Sequence, residues 1–250
     1  MKHISKSKTI KTFLFGFLLL ASAAINAQTN YYVRDKAHGG NDGYNGLSPD
    51  QAWQTVDAVN NHMSSFHPGD IINFERGSYF FGTLKIKASG GENRHITFRS
   101  YGTGDKPVFI DAVTIVPNNP DLNSSWNPLQ NNVWTYTDNV MKAHKVDIAN
   151  LVLVRGTDTS FGEKVMSADP SMLTRQGQFL YDYDKNQLEL YSESKPSEFY
   201  SSIQTVLNEN AIEFNKNSYL TFDNLAFKYY GRCVVEISGN NCNFSNLDIS

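Results

Sequence analysis

Phe222-Asp223-Asn224-Leu225-Ala226-Phe227 and Phe244-Ser245-Asn246-Leu247-Asp248-Ile249 share one pattern. Each opens on Phe, carries Asn-Leu in the middle and closes on a large apolar residue. Just upstream, Ile212-Glu213-Phe214 aligns with Val235-Glu236-Ile237. The match therefore recurs with a period of roughly 22 to 23 residues, which falls in the range of solenoid repeats. In such a coil, apolar residues two or three apart point into a narrow core. An Asn recurring at the same turn is placed to stack on its equivalent in an amide ladder, here Asn224 on Asn246.

Outward from this repeat, residues 70 to 111 have the same texture. The runs Ile71-Ile72-Asn73-Phe74, Leu84-Lys85-Ile86, Ile96-Thr97-Phe98-Arg99 and Val108-Phe109-Ile110-Asp111 are each as long as a short strand and are separated by Gly, Asn or Asp. No helical pattern lies between them, which excludes a βαβ sheet and leaves a sandwich, a barrel or a solenoid. The repeat favours the solenoid. Further back, Tyr31-Tyr32-Val33 reads as a strand and Gly39 to Gly46 as a loop. Ser48-Pro49-Asp50 then supplies the cap of a helix whose apolar face is Trp53, Val56, Ala58, Val59 and Met63, ended by His67-Pro68-Gly69.

From Ala112 to about Asn208 the texture differs. Pro117, Pro120 and Pro128 precede Val133-Trp134-Thr135-Tyr136, Leu151-Val152-Leu153-Val154 and a hairpin in which Gln178 to Tyr181 and Gln187 to Tyr191 flank Asp182 to Asn186. This reads as a β-rich insertion packed on the solenoid. The expected organisation is a signal peptide over 1–27, an N-terminal cap and first coils over 28–111, the insertion over 112–208 and further coils over 209–250. The fold class expected is all-β, a right-handed parallel β-helix with an N-terminal capping α-helix.

The signal peptide rests on Lys2, Lys6, Lys8 and Lys11 ahead of the apolar run from Phe13 to Ala24, too short to span a bilayer, with small residues up to Ala27. It implies export to the periplasm, the cell surface or the medium. Loss of those four lysines would take the formal net charge from −3 to −7. No clustered Lys/Arg footprint of a nucleic-acid binder is present, and no later segment is apolar enough to span a membrane. Cys233 and Cys242 are the only cysteines. A bond between them would close a small loop of little entropic value, and no paired metal-binding cysteine motif exists. The chain stops at Leu247-Asp248-Ile249-Ser250 inside a strand-like run, so further coils carrying catalytic residues are expected beyond Ser250.

These segments resemble the right-handed parallel β-helix proteins of the pectate-lyase-like superfamily, found among secreted bacterial polysaccharide lyases and glycoside hydrolases. The opening Tyr31-Tyr32-Val33, Asn41-Asp42-Gly43, Gly46-Leu47-Ser48-Pro49 and Trp53 to Val59 are similar to that family's first strand, loop and capping helix. His67 to Ile72, Arg76-Gly77-Ser78-Tyr79 and Ile96 to Gly102 resemble its first coil. Gly177 to Asp182 and Leu188 to Ser192 resemble an insertion of members acting on glycans. Ala52 departs from the family, which often has Pro there. The resemblance implies a polysaccharide or oligosaccharide partner, acted on by a lyase or a hydrolase, or bound without catalysis by an adhesin-like protein. Fold alone does not choose between these.

Ligands of such folds bind along a face and its loops. The substrate-binding candidates are Lys228, Tyr230 and Arg232 in Lys228-Tyr229-Tyr230-Gly231-Arg232, which join charge to aromatic surface. A lyase would need a base, for which the resemblance implies a Lys or Arg, often with Ca²⁺ as cofactor. A hydrolase would need two carboxylates, for which Asp223, Glu236 and Asp248 are the acids near the repeat. Catalytic residues are not assigned by spacing. The Asn41-Asp42-Gly43 loop lacks the alternating acids of a strong calcium signal and reads as a turn. His38, His62, His67, His95 and His144 show no zinc-ligand spacing.

Overall fold

The computed structural model describes residues 27–116, 125–137, 147–214, 216–236 and 238–250. The expected signal segment therefore lies outside the described residues except for Ala27, and so does His144. The all-β expectation holds, but strands pair in two different ways. In chain order the first elements are β1 (Asn30–Val33), α1 (Val56–His62), β2 (Ile71–Glu75), β3 (Tyr79–Phe81), β4 (Leu84–Ile86), β5 (Ile96–Tyr101) and β6 (Val108–Ile110). The last are β16 (Ile212–Phe214), β17 (Leu220–Asp223), β18 (Ala226–Lys228), β19 (Val235–Glu236), β20 (Cys242–Ser245) and β21 (Asp248–Ile249). These strands form three sheets, ordered β1-β2-β5-β17-β20, β3-β6-β18-β21 and β4-β16-β19, and every ladder in them is parallel.

The chain visits the three sheets in turn and then starts a new rung. Phe222 pairs with Phe244 and Phe227 with Ile249, which is the register expected from the repeat. The side chains explain it. Phe98, Phe222 and Phe244 stack with their rings nearly parallel and centroids 4.9 and 5.3 Å apart, close to the spacing of hydrogen-bonded strands. Phe109 and Phe227 make a second stack at 5.1 Å. Rings of one rung thus lie on those of the next, inside a core that also buries Ile72, Phe74, Leu84, Ile212 and Leu225.

The recurring asparagine has a different role from the one expected. Asn224 and Asn246 sit at φ 60° and 51°, in the left-handed region that Asn tolerates better than most residues. Asn246 donates its side-chain N–H to Asp223 Oδ1 at 2.9 Å instead of to its equivalent amide. The residue is kept by the corner's backbone, and the ladder along the axis is made of phenylalanine.

The helix is also shorter than its apolar pattern suggests. Pro49–Gln51 form only a 3₁₀ turn, and Thr55, not Ser48, caps α1 by accepting from Ala58 N at 3.0 Å. Val56, Ala58 and Val59 cover the start of the parallel core. Asn60 fastens α1 to β4, donating to Thr83 O and accepting from Lys85 N at 2.8 and 2.9 Å. Because β4 is the outermost strand of its sheet, these bonds occupy backbone groups that an edge would otherwise expose.

Between β6 and β16 come β7 (Ala112–Val116), β8 (Ser125–Gln130), β9 (Val133–Thr137), β10 (Ile148–Arg155), β11 (Asp158–Phe161), β12 (Glu163–Lys164), β13 (Gln178–Asp182), β14 (Gln187–Tyr191), α2 (Pro196–Phe199) and β15 (Ser202–Leu207). They make two sheets of their own, ordered β11-β10-β15-β7 and β12-β13-β14-β9-β8, and all their ladders except β12-β13 are antiparallel. The expected hairpin is β13-β14, with Asp182 opposite Gln187. The two sheets bury a separate core of Ile115, Trp126, Tyr136, Leu151, Phe179, Leu188 and Ile203. The chain leaves and re-enters the parallel ladders at one point, where Leu207 N donates to Asp111 O at 3.2 Å. Beyond it, β16 pairs with β4 across more than 120 residues of sequence as though nothing intervened.

Candidate functional site

Along a strand, alternate side chains face opposite ways, and in β4, β16 and β19 the outward positions are Lys85, Glu213 and Glu236. The ladders put them in one row, since Glu213 pairs with Lys85 on one side and with Glu236 on the other. Lys87 and Phe214 complete a shallow groove of about 330 Å³ along this row. The Lys85 ammonium and the Glu213 carboxylate have no hydrogen bond or ion pair to another described residue.

Glu236 is held differently. Asn210, buried to 1% exposure, donates its amide N–H to Glu236 Oε2 at 2.7 Å and accepts from Cys233 Sγ at 2.8 Å. Thr83 Oγ1 in turn donates to Asn210 O. A buried amide aimed at an exposed carboxylate restricts that carboxylate's rotamers and leaves its second oxygen free to face the groove. Arg232 lies at 4.0 Å from the same carboxylate, a solvated pairing that contributes little stability.

The three sequence candidates divide between different environments. Arg232 flanks the groove through Glu236. Tyr230 turns inward, donating its O–H to Gly82 O at 2.8 Å, and burial, followed by the charge of Asp111, pushes its phenol well above 10. Lys228 is exposed at the end of β18, in another sheet. Their loop is packed tightly on the intervening sheets: a Cβ on Gly231 would lie 2.2 Å from Ala149 Cβ and 2.5 Å from Leu207 O. The three acids separate as well. Asp223 accepts from Ser245 Oγ and Asn246, Asp248 pairs with Lys106 at 2.7 Å, and only Glu236 reaches the groove. Glu213 was missed by sequence reasoning, although its alignment with Glu236 was the available signal.

No described group of three or more His, Cys, Asp and Glu residues is arranged to hold a metal ion. Asp42 of the Asn41-Asp42-Gly43 loop accepts from Gln54 N, Thr55 N and Thr55 Oγ1, which fixes the approach to α1. Cys233 and Cys242 are both free thiols. Among the described residues no helix is long and apolar enough to cross a membrane.

No protein-family model matches this chain, and no curated protein matches it. Among solved structures, it is similar to XylC in complex with xylose, at 15% identity and TM-score 0.57 over 83% of this chain. The chain spans only about a third of XylC's length, 36%. Two other likenesses are to a GH136 lacto-N-biosidase from Eubacterium ramulus, at 18% identity, TM-score 0.42, 88% of this chain and 27% of that one, and to a glycoside hydrolase at 12%, 0.46, 81% and 51%. At such identities the XylC match concerns the fold alone.

Proposed function

We propose that this chain is part of an exported carbohydrate-active protein, a glycoside hydrolase, whose groove over β4, β16 and β19 takes a saccharide. In this reading the three parallel sheets are the faces of a right-handed parallel β-helix, residues 112–208 are an insertion and residues 1–27 a signal peptide. The observation that carries the proposal is the pair Glu213 and Glu236 on neighbouring rungs, one free and one oriented by a buried amide.

Hydrolysis with retention needs two carboxyl groups about 5 to 5.5 Å apart, one as nucleophile and one as acid then base. Neighbouring parallel strands lie about 4.8 Å apart, which puts two outward carboxylates in that range. Glu236, fixed by Asn210, suits the nucleophile that must be held at one angle; Glu213 suits the proton donor. The likeness to XylC, whose structure is a complex with xylose, supports a sugar ligand, and a lyase draws no support from these observations.

The test is release of reducing ends from a panel of xylo-, gluco- and galacto-oligosaccharides, with the anomer of the first product read by proton NMR. Glu213→Gln and Glu236→Gln should each lower turnover on the order of 10²- to 10⁴-fold with folding unchanged. Unaltered turnover in both variants would remove the pair from the chemistry, and binding without turnover in the wild type would make the groove a glycan-binding site.

A further inference from the structure

Around the corner from Lys85, on the preceding strand of the same rung, β3 carries two large rings in the open. Tyr79 is 62% and Phe81 50% exposed, while Phe80 between them is buried in the core. Alternation thus places two aromatic faces on one side of the strand, about 7 Å apart along it. They border a cavity of about 330 Å³ whose other walls include Asp35, Lys36, Gln54 and Thr55.

We propose that Tyr79 and Phe81 form a second carbohydrate site, a platform for a neutral oligosaccharide separate from the groove. Flat aromatic surface stacks on the C–H face of a sugar ring, and nearby amides and hydroxyls bond its hydroxyls, a combination of mainly apolar wall and few polar groups typical of small-molecule sites. The Gln54 amide and the Lys36 ammonium have no described partner. Charge argues for a neutral ligand, because the Asp35 carboxylate and the Lys36 ammonium lie in the same cavity and leave no net field to select an anion. Asp35 is also fully engaged, accepting from His38 N, His38 Nδ1 and Tyr79 N.

The last of these bonds argues against a peptide. β3 is the outer strand of its sheet and could otherwise add a strand from a partner, but the Tyr79 N–H is already held by Asp35 Oδ2 at 2.9 Å. The side-chain face, with Tyr79 and Phe81 exposed, is open. This inference rests on the carbohydrate reading only for its choice of ligand class; the platform and the groove lie on different sheets and can fail separately.

Affinity electrophoresis of the protein in gels containing xylan, β-glucan, mannan or galactan tests it, comparing wild type, Tyr79→Ala/Phe81→Ala and Glu213→Gln/Glu236→Gln, with thermal melts and size-exclusion runs on each. At least one neutral polysaccharide should retard the wild type, the ring variant should lose about tenfold or more in affinity with an unchanged melt, and the carboxylate variant should still be retarded. Equal retardation of the ring variant, or no retardation of the wild type by any of the four, overturns the platform. A change of oligomeric state on removing the rings also overturns it, since the rings would then be a contact between copies. Retardation that survives alongside a catalytically inert groove would sink the hydrolase proposal and leave the platform standing.

Discussion

Asp111 is buried to 2% exposure with its Oδ2 unbonded, at the point where the chain leaves the parallel ladders. Burial, and after it the charge of Glu209, raises its titration to about 7 from 3.8. Because the folded protein holds this proton more tightly than the unfolded chain does, the group's contribution is fully present below about pH 4 and is lost as pH rises to about 7. Between pH 5 and pH 7 the loss should be about 2 to 3 kcal/mol at most. Asp111→Asn should flatten this slope, and urea unfolding of both proteins at pH 5 and pH 8 measures it; parallel slopes would mean that the carboxyl titrates normally. At single residues the sequence was legible where apolar identity repeats, as at Phe222 and Phe244. It was misleading where one residue type serves two purposes: Asn224 looked like a stacking amide, yet its backbone conformation accounts for it. Asp111 gave no signal, since one cause of its shift, the charge of Glu209, lies almost a hundred residues away in the sequence.

Gly231 shows how two groups of strands are joined. The corner between β18 and β19 runs against β10 and β15, with Gly231 N donating to Leu207 O at 3.0 Å and no room for a side chain beside Ala149. Gly231→Val should therefore cost more than 2 kcal/mol by overpacking and lower the melting temperature, whereas Arg232→Val next to it should change stability by less than about 0.5 kcal/mol. Equal effects would show that the corner can move away from the sheets. For strands and helices, legibility followed sequence distance. The β13-β14 hairpin and the short parallel strands could be read because their signals are local. The pairing of β15 with β7 and β10 could not, because antiparallel partners so far apart leave no period to find. The helix was overextended because Trp53 has the right spacing for its apolar face but belongs to the preceding extended segment, where it bridges Val33.

Among the described residues the two larger cores, one of stacked parallel rungs and one between the antiparallel sheets, are joined where Asp111 and Leu207 meet. Amide hydrogen exchange should resolve them as two cooperative units, with β10, β14 and β15 protected to a different extent from β5 and β17. A single common exchange rate for both would contradict this. The meeting of Asp111 and Leu207 also fixes an order of events during synthesis. As the nascent chain grows, β4 and β6 exist long before their neighbours β16 and β18, which are separated from them by about 115 to 125 further residues. At roughly 5 to 20 residues per second that delay is about 6 to 25 s. During it, the antiparallel core can close on its own, since all its residues lie between 113 and 203. The stack of rungs cannot grow. A ribosome carrying this chain thus finishes the lateral unit while the axial one waits with Leu84 and Phe109 uncovered, and chains halted in that interval are the ones most exposed to aggregation.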